Sequence, residues 1–146
     1  FDQLLSQKNF RQIYDDQMRF IAATAMYPEK QEQLRTVLTD MQQIEKSIIQ
    51  AQEIEKRGDY PGAWESAEKA FRKYPDDNKL NNVRSSLTIK ASEFVRSITQ
   101  AEELEQKNQP GSSLSWFLKA QNAYPPSEFA REGVERLTKQ ILPDAT

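Results

Sequence analysis

Apolar residues recur along much of the chain with the spacing of one helical face. Between residues 60 and 74 they are three or four residues apart, which places them on one side of an α-helix: Tyr60, Ala63, Trp64, Ala67, Ala70, Phe71 and Tyr74. Asp59 is suited to cap the start of this helix. Pro75 ends it, because a residue before proline is pushed out of helical space. The pattern predicts a short helix over residues 60–73.

Two longer stretches, 29–57 and 77–107, show the same spacing and contain no internal glycine or proline. Their apolar positions alternate by three and four residues, which is typical of a seam between helices: Leu34, Val37, Leu38, Met41, Ile44, Ile48, Ala51 and Ile54, then Leu80, Val83, Leu87, Ala91, Phe94, Ile98, Ala101 and Leu104. Each is predicted to be one continuous helix, roughly 45 Å long. The alternative is a break near Thr39-Asp40 or between Thr88 and Ser92, where helix propensity falls.

The chain also repeats itself. Tyr-Pro occurs at Tyr27-Pro28, Tyr74-Pro75 and Tyr124-Pro125, so the spacing is 47 and then 50 residues. A turn-like triplet precedes each short helix, at 7–9, 56–58 and 106–108. Repeated units of this length indicate a stack of helical repeats.

The full prediction is an all-α chain of seven helices without β-sheet, at least two-thirds helical, arranged as a right-handed superhelix. The helices cover roughly 2–7, 10–26, 29–57, 60–73, 77–107, 113–124 and 127–141. Ser127 is predicted to cap the last helix and Pro143 to end it. Residues 1–146 are taken as one domain, with a partial repeat at 1–28, repeats at 29–75 and 76–125, and a C-terminal helix at 126–143.

Part of this pattern resembles the tetratricopeptide repeat, on a set of small residues, a turn and a closing proline: Ala51, Ile54, Gly58-Asp59-Tyr60, Ala63, Ala67, Ala70 and Pro75. The units here are longer than that family's repeat of about 34 residues. The resemblance implies a tetratricopeptide-like α-solenoid that acts as a scaffold or adaptor.

Composition removes several classes of function. The net charge is −2 without a basic stripe, which argues against a nucleic-acid partner. Cysteine and histidine are absent, so disulfides, thiolate nucleophiles and the usual zinc sites are excluded. No catalytic motif is present, and we expect no enzyme activity, cofactor or metal. The acidic pairs Asp15-Asp16, Asp76-Asp77 and Glu102-Glu103 are interpreted as solvated or capping residues, and Phe20–Tyr27 is too short to span a bilayer.

The resemblance also implies a binding groove, because the family lines its concave face with the first helix of each unit. The corresponding positions are Glu45, Ile48, Gln52, Glu55, Lys56, Val95, Ile98, Glu102, Glu105 and Gln106. The isoleucines replace the lysine with which some members hold a C-terminal carboxylate, so that activity is disfavoured. The competing interpretation is that these are ordinary solvated or inter-helix positions.

The two tryptophans are the candidates for ligand stacking. Trp64 lies in the apolar stripe of its helix, which favours packing in the core. Trp116 stands beside Phe117, which takes the equivalent core position, so partial exposure of Trp116 is left open.

The predicted function is a protein-docking module excised from a longer protein, binding an amphipathic or basic partner and favoured to be a monomer. Helical repeats of this resemblance often serve secretion, pilus-assembly or outer-membrane machinery, which suggests a bacterial envelope setting. The alternatives are a dimeric structural element built on the long-helix seams and an intracellular adaptor or co-chaperone.

Overall fold

The computed structural model describes residues 1–142, so the predicted stop at Pro143 lies outside the described part. Its helical content is 82%, above the two-thirds that we predicted, and residues 1–142 contain no strand. The all-α prediction is confirmed. The helices are α1 Asp2–Ser6, α2 Phe10–Asp15, α3 Gln17–Ala23, α4 Pro28–Lys56, α5 Tyr60–Lys73, α6 Asn78–Lys90, α7 Ser92–Gln106, α8 Pro110–Ala123 and α9 Glu128–Ile141.

Residues 1–142 therefore hold nine helices rather than seven, because two predicted helices are interrupted. The predicted helix 10–26 is broken at Asp16 into α2 and α3, and the chain turns after Ala23. The predicted helix 77–107 is broken at Ala91, whose φ and ψ are −112° and 33°. The continuous alternative that we preferred for this stretch is wrong, whereas α4 is continuous over 29 residues as predicted.

The helix ends follow local rules that the sequence made visible. Asp59 accepts a hydrogen bond from the Gly62 amide at 3.0 Å, and Pro61 occupies the first turn of α5. Asp77 accepts from the Leu80 amide at 2.9 Å, and Ser127 accepts from the Ala130 amide at 3.0 Å. Side-chain oxygens at these positions satisfy amides that have no partner within the helix.

The helices recur every 50 residues, which corrects the spacing of 47 and 50 taken from Tyr-Pro. The pair α2 and α3 covers residues 10–23, and the short helices α5 and α8 cover residues 60–73 and 110–123. The following helices begin at 28, 78 and 128. The residue with positive φ in each turn keeps the same spacing, at Lys8, Gly58 and Asn108. Pro28 starts a helix while Pro75 lies in a turn, so the first Tyr-Pro is not equivalent to the others.

The chain forms two compact units, Phe1–Ile49 and the residues from Gln50 onward. The side chains buried in the first unit are apolar apart from Thr24: Ile13, Phe20, Leu34, Val37, Met41, Ile44 and Ile48. The core of the second unit is built on α5 to α9 and the last turns of α4: Ala51, Ala63, Trp64, Ala67, Leu87, Ala91, Phe94, Val95, Ile98, Ala101, Phe117, Ala120, Ala130 and Leu137.

Candidate interaction surfaces

The four glutamates of the predicted groove are already paired with cations of the chain itself. Glu45 pairs with Arg11 in the first unit, and Glu55 pairs with Lys90 in the second. Two bidentate pairs join helices of the second unit, one between Glu102 and Arg72 at 2.8 and 2.8 Å, the other between Glu105 and Arg136 at 2.6 and 2.7 Å. A basic partner at these carboxylates would have to displace an internal cation.

These pairs change the charge states of the groups involved. Hydrogen bonds from Arg136 lower the pKa of Glu105 below its ordinary value, and the Glu105 carboxylate in turn raises the pKa of Arg136. The hydrogen bond to Glu55 raises the pKa of Lys90. Each pairing therefore favours the charged form of its partner.

The remaining groove positions divide between core and solvent. Ile48, Val95 and Ile98 are buried, with exposures of 1%, 8% and 0%, and cannot contact a partner in this structure. Three polar positions are exposed: Gln52, Lys56 and Gln106. Glu45 and Ile48 belong to the first unit and the others to the second, so these ten positions are not brought together as one surface within either unit.

Ion pairs and one aromatic ring join α5, α7 and α9 in the second unit. Lys69 of α5 pairs with Glu128 of α9, and the Arg72 guanidinium lies 4.3 Å from the centre of the Phe129 ring. With the pairs from Arg72 and Arg136, each of the three helices is joined to the other two. We interpret this face as structural, because its charges are matched within the chain.

The tryptophans differ as their neighbours in the sequence suggested. Trp64 is 3% exposed, and its indole N–H donates to the Thr88 hydroxyl at 3.1 Å. Phe94 and Phe129 approach its ring edge-on, with centroids 5.9 and 6.0 Å away, so its assignment to the core is confirmed. Trp116 is partly exposed, whereas Phe117 beside it is only 1% exposed.

A surface that the sequence reasoning missed lies on α3 and the turn after it. Met18 is 76% exposed, Ile21 45%, Met26 85% and Tyr27 56%. Phe20, on another side of α3, is 4% exposed and packs against the Phe1 ring with centroids 5.8 Å apart. We call Met18, Ile21, Met26 and Tyr27 the α3 surface. Its signal in the sequence is a run of apolar residues too broad for the single stripe that Phe20 occupies.

Metal binding, the acidic pairs and membrane crossing were the other features considered. No group of His, Cys, Asp or Glu side chains in residues 1–142 is arranged to hold a metal ion. Of the acidic pairs, Asp77 is the helix cap described above. Within the same residues, no helix has the length and apolar character that crossing a membrane requires.

No protein-family model, curated protein or solved structure shows a significant match to this chain.

Proposed function

We propose that this chain is a non-catalytic protein-docking module of a multi-component assembly and that the α3 surface is its main contact. The observation that carries the proposal is the exposure of Met18 and Met26, 76% and 85%, close in the sequence to the exposed Ile21 and Tyr27. Clustered large apolar side chains on a surface are typical of interaction sites. Methionine suits such a site because its flexible thioether adapts to different partners.

The charges next to the α3 surface indicate the chemistry of its partner. Asp15 is the last residue of α2 and Asp16 lies at the break before α3, so the two carboxylates are three and two residues before Met18 in the sequence. Neither carboxylate forms an ion pair with any residue of the described range 1–142. An amphipathic helix with basic residues along its edge would place apolar side chains on the methionines and cations beside the aspartates.

This proposal keeps the amphipathic or basic partner predicted from the sequence but moves its contact to α3. The glutamates of the predicted groove are neutralised by Arg11, Lys90, Arg72 and Arg136. An exposed carboxylate without an internal cation attracts a basic partner more strongly than one that is already paired.

The assembly that we favour is secretion or pilus machinery of a bacterial envelope, with an intracellular adaptor as the alternative. The support is the tetratricopeptide resemblance together with helices that recur every 50 residues. A dimer on the seam of α4 is less well supported, because Leu34, Val37, Met41 and Ile44 are buried within the monomer. Light scattering separates a monomer from that dimer.

The proposal is tested by affinity capture from native lysate with the wild type, a Met18→Glu/Ile21→Glu variant and an Ile89→Glu control. Ile89 is the control because it is also an exposed apolar residue, 78% exposed, but lies on α6 in the other unit. We expect a captured protein that is lost with the double variant, is retained with the control, and is displaced by a basic amphipathic segment of its own sequence. Equal recovery by all three proteins would contradict the α3 contact, and recovery of no protein would contradict the docking function.

A further inference from the structure

A second surface, on α7 and α8 of the second unit, combines an aromatic ring with two cations. The ring is that of the partly exposed Trp116. The Lys119 ammonium lies 4.7 Å from the ring centroid, and the guanidinium carbon of Arg96 lies 5.9 Å from it. Arg96 comes from α7, while Trp116 and Lys119 are one turn apart on α8. We call these three residues the Trp116 surface.

No carboxylate of residues 1–142 forms an ion pair with either cation of the Trp116 surface. Lys69, Arg72 and Arg136 each have a glutamate partner. Even Glu93, one turn before Arg96 on the same helix, does not pair with it. The Trp116 surface thus presents positive charge that no carboxylate of the described residues neutralises, around a partly exposed ring.

The chemistry of the three side chains fits one kind of ligand. A guanidinium is a planar donor that binds a carboxylate through two parallel hydrogen bonds, and an ammonium adds a second cation. The indole N–H is a donor only, and its ring offers an apolar face. Tryptophan and arginine are the residue types most enriched at the energetic centres of protein interfaces.

We propose that the Trp116 surface binds an acidic segment of a partner protein, with carboxylates on Arg96 and Lys119 and an apolar side chain against the indole. Charge complementarity is the reason for this choice. A nucleic acid fits less well, because the chain has a net charge of −2 and these two cations are not part of a basic stripe. This surface belongs to the second unit and the α3 surface to the first, so either proposal can fail without the other.

The chain supplies its own internal reference for a test by NMR, because it has two tryptophans and hence two indole N–H signals. A capped Glu/Leu peptide is titrated into the protein, with Gln/Leu and Lys/Leu peptides of equal length as controls. We expect the acidic peptide alone to shift the Trp116 signal in a saturable manner. The Trp64 signal should stay in place, because Trp64 is buried and its indole N–H donates to the Thr88 hydroxyl. Added salt should weaken the binding, because the contact is between exposed charges.

Lys119→Glu should lower the affinity for the acidic peptide about tenfold, since an attraction is replaced by a repulsion. The matched control is Lys73→Glu, because Lys73 also lies over an aromatic ring, 5.4 Å from the centroid of Tyr74, on another helix. The affinity of the Lys73→Glu variant for the acidic peptide should differ from that of the wild type by less than about twofold. The proposal is overturned if Lys119→Glu binds like the wild type, or if the Lys/Leu peptide shifts the Trp116 signal equally. A larger shift with a single-stranded oligonucleotide would assign the surface to nucleic acid instead.

Discussion

At the scale of single residues, Glu65 is the buried carboxylate that connects α5 to the start of α9. It is a carboxylate only 5% exposed, on α5, and it lies at the start of α9. The Ser127 hydroxyl donates to it at 2.6 Å, and the amides of Glu128 and Phe129 donate at 2.9 and 3.3 Å. A buried negative charge is tolerated there because three donors and the positive end of the helix dipole compensate it.

We therefore expect Glu65→Ala to reduce the free energy of unfolding by about 2–4 kcal/mol, because it leaves the buried Ser127 hydroxyl and two partly buried amides without this acceptor. Glu53→Ala, at an exposed position of α4, is the control and should cost less than about 0.5 kcal/mol. Urea unfolding monitored by circular dichroism measures both. Equal stability of the two variants would mean that Glu65 does not cap α9.

Two helical glycines of the second unit, Gly133 and Gly111, differ in the space around them, so alanine is expected to have opposite effects on stability at the two positions. A Cβ at Gly133 would stand 2.6 Å from atoms of the Phe117 ring, which is 1% exposed and has no room to move. A Cβ at Gly111 would meet nothing within 4 Å. Gly133→Ala should therefore destabilise the protein by about 1–3 kcal/mol, whereas Gly111→Ala should stabilise it by up to about 1 kcal/mol. Thermal unfolding distinguishes these signs, and a neutral Gly133→Ala would contradict the close contact of α8 with α9.

Residue roles were predictable where they depend on near neighbours in the chain. The caps Asp59, Asp77 and Ser127 each bond an amide three residues further on, so the sequence alone indicated them. The role of Glu65 was not predictable, because its donors lie more than sixty residues away. The pairing of the groove glutamates was hidden for the same reason.

At the scale of helices, apolar spacing predicted where helices form but not where they break. The stretches 29–57 and 77–107 have the same pattern, yet the position of Met41 is helical and that of Ala91 is not. Propensity dips near both positions, so the choice between continuity and a break depends on tertiary contacts. The break at Asp16 likewise separates α3 from α2, and the α3 surface was missed because residues 10–26 were predicted to form one helix.

We expect the stability of the contact between α7 and α9 to depend on pH through Glu105. Its pKa is lowered in the folded state by the hydrogen bonds from Arg136, so its contribution to stability is present above its unfolded pKa of about 4.3. That contribution is lost as the pH falls below this value and through the folded pKa. We expect Glu105→Gln to be less stable than the wild type at pH 7 and equally stable near pH 2. Urea unfolding at a series of pH values measures this. If the difference in the free energy of unfolding between the two proteins is as large near pH 2 as at pH 7, the charge of the Glu105 carboxylate does not stabilise the contact.

At the scale of the whole molecule, our central claim is that the α3 surface binds a basic amphipathic helix. The three methionines make this claim measurable by ¹³C-methyl NMR, because Met18 and Met26 lie on that surface and Met41 is 2% exposed in the core. The probe is a Leu/Lys amphipathic peptide of about 14 residues, four helical turns, and a Leu/Glu peptide of equal length is the control.

We predict that the basic peptide shifts the methyl signals of Met18 and Met26 in a saturable manner and leaves that of Met41 in place. We also predict that Asp15→Lys/Asp16→Lys weakens this binding, because the complementary charge is reversed. Unshifted Met18 and Met26 signals at about 1 mM peptide, where even weak contacts are populated, would contradict the claim. Equal shifts with the acidic peptide would contradict it as well.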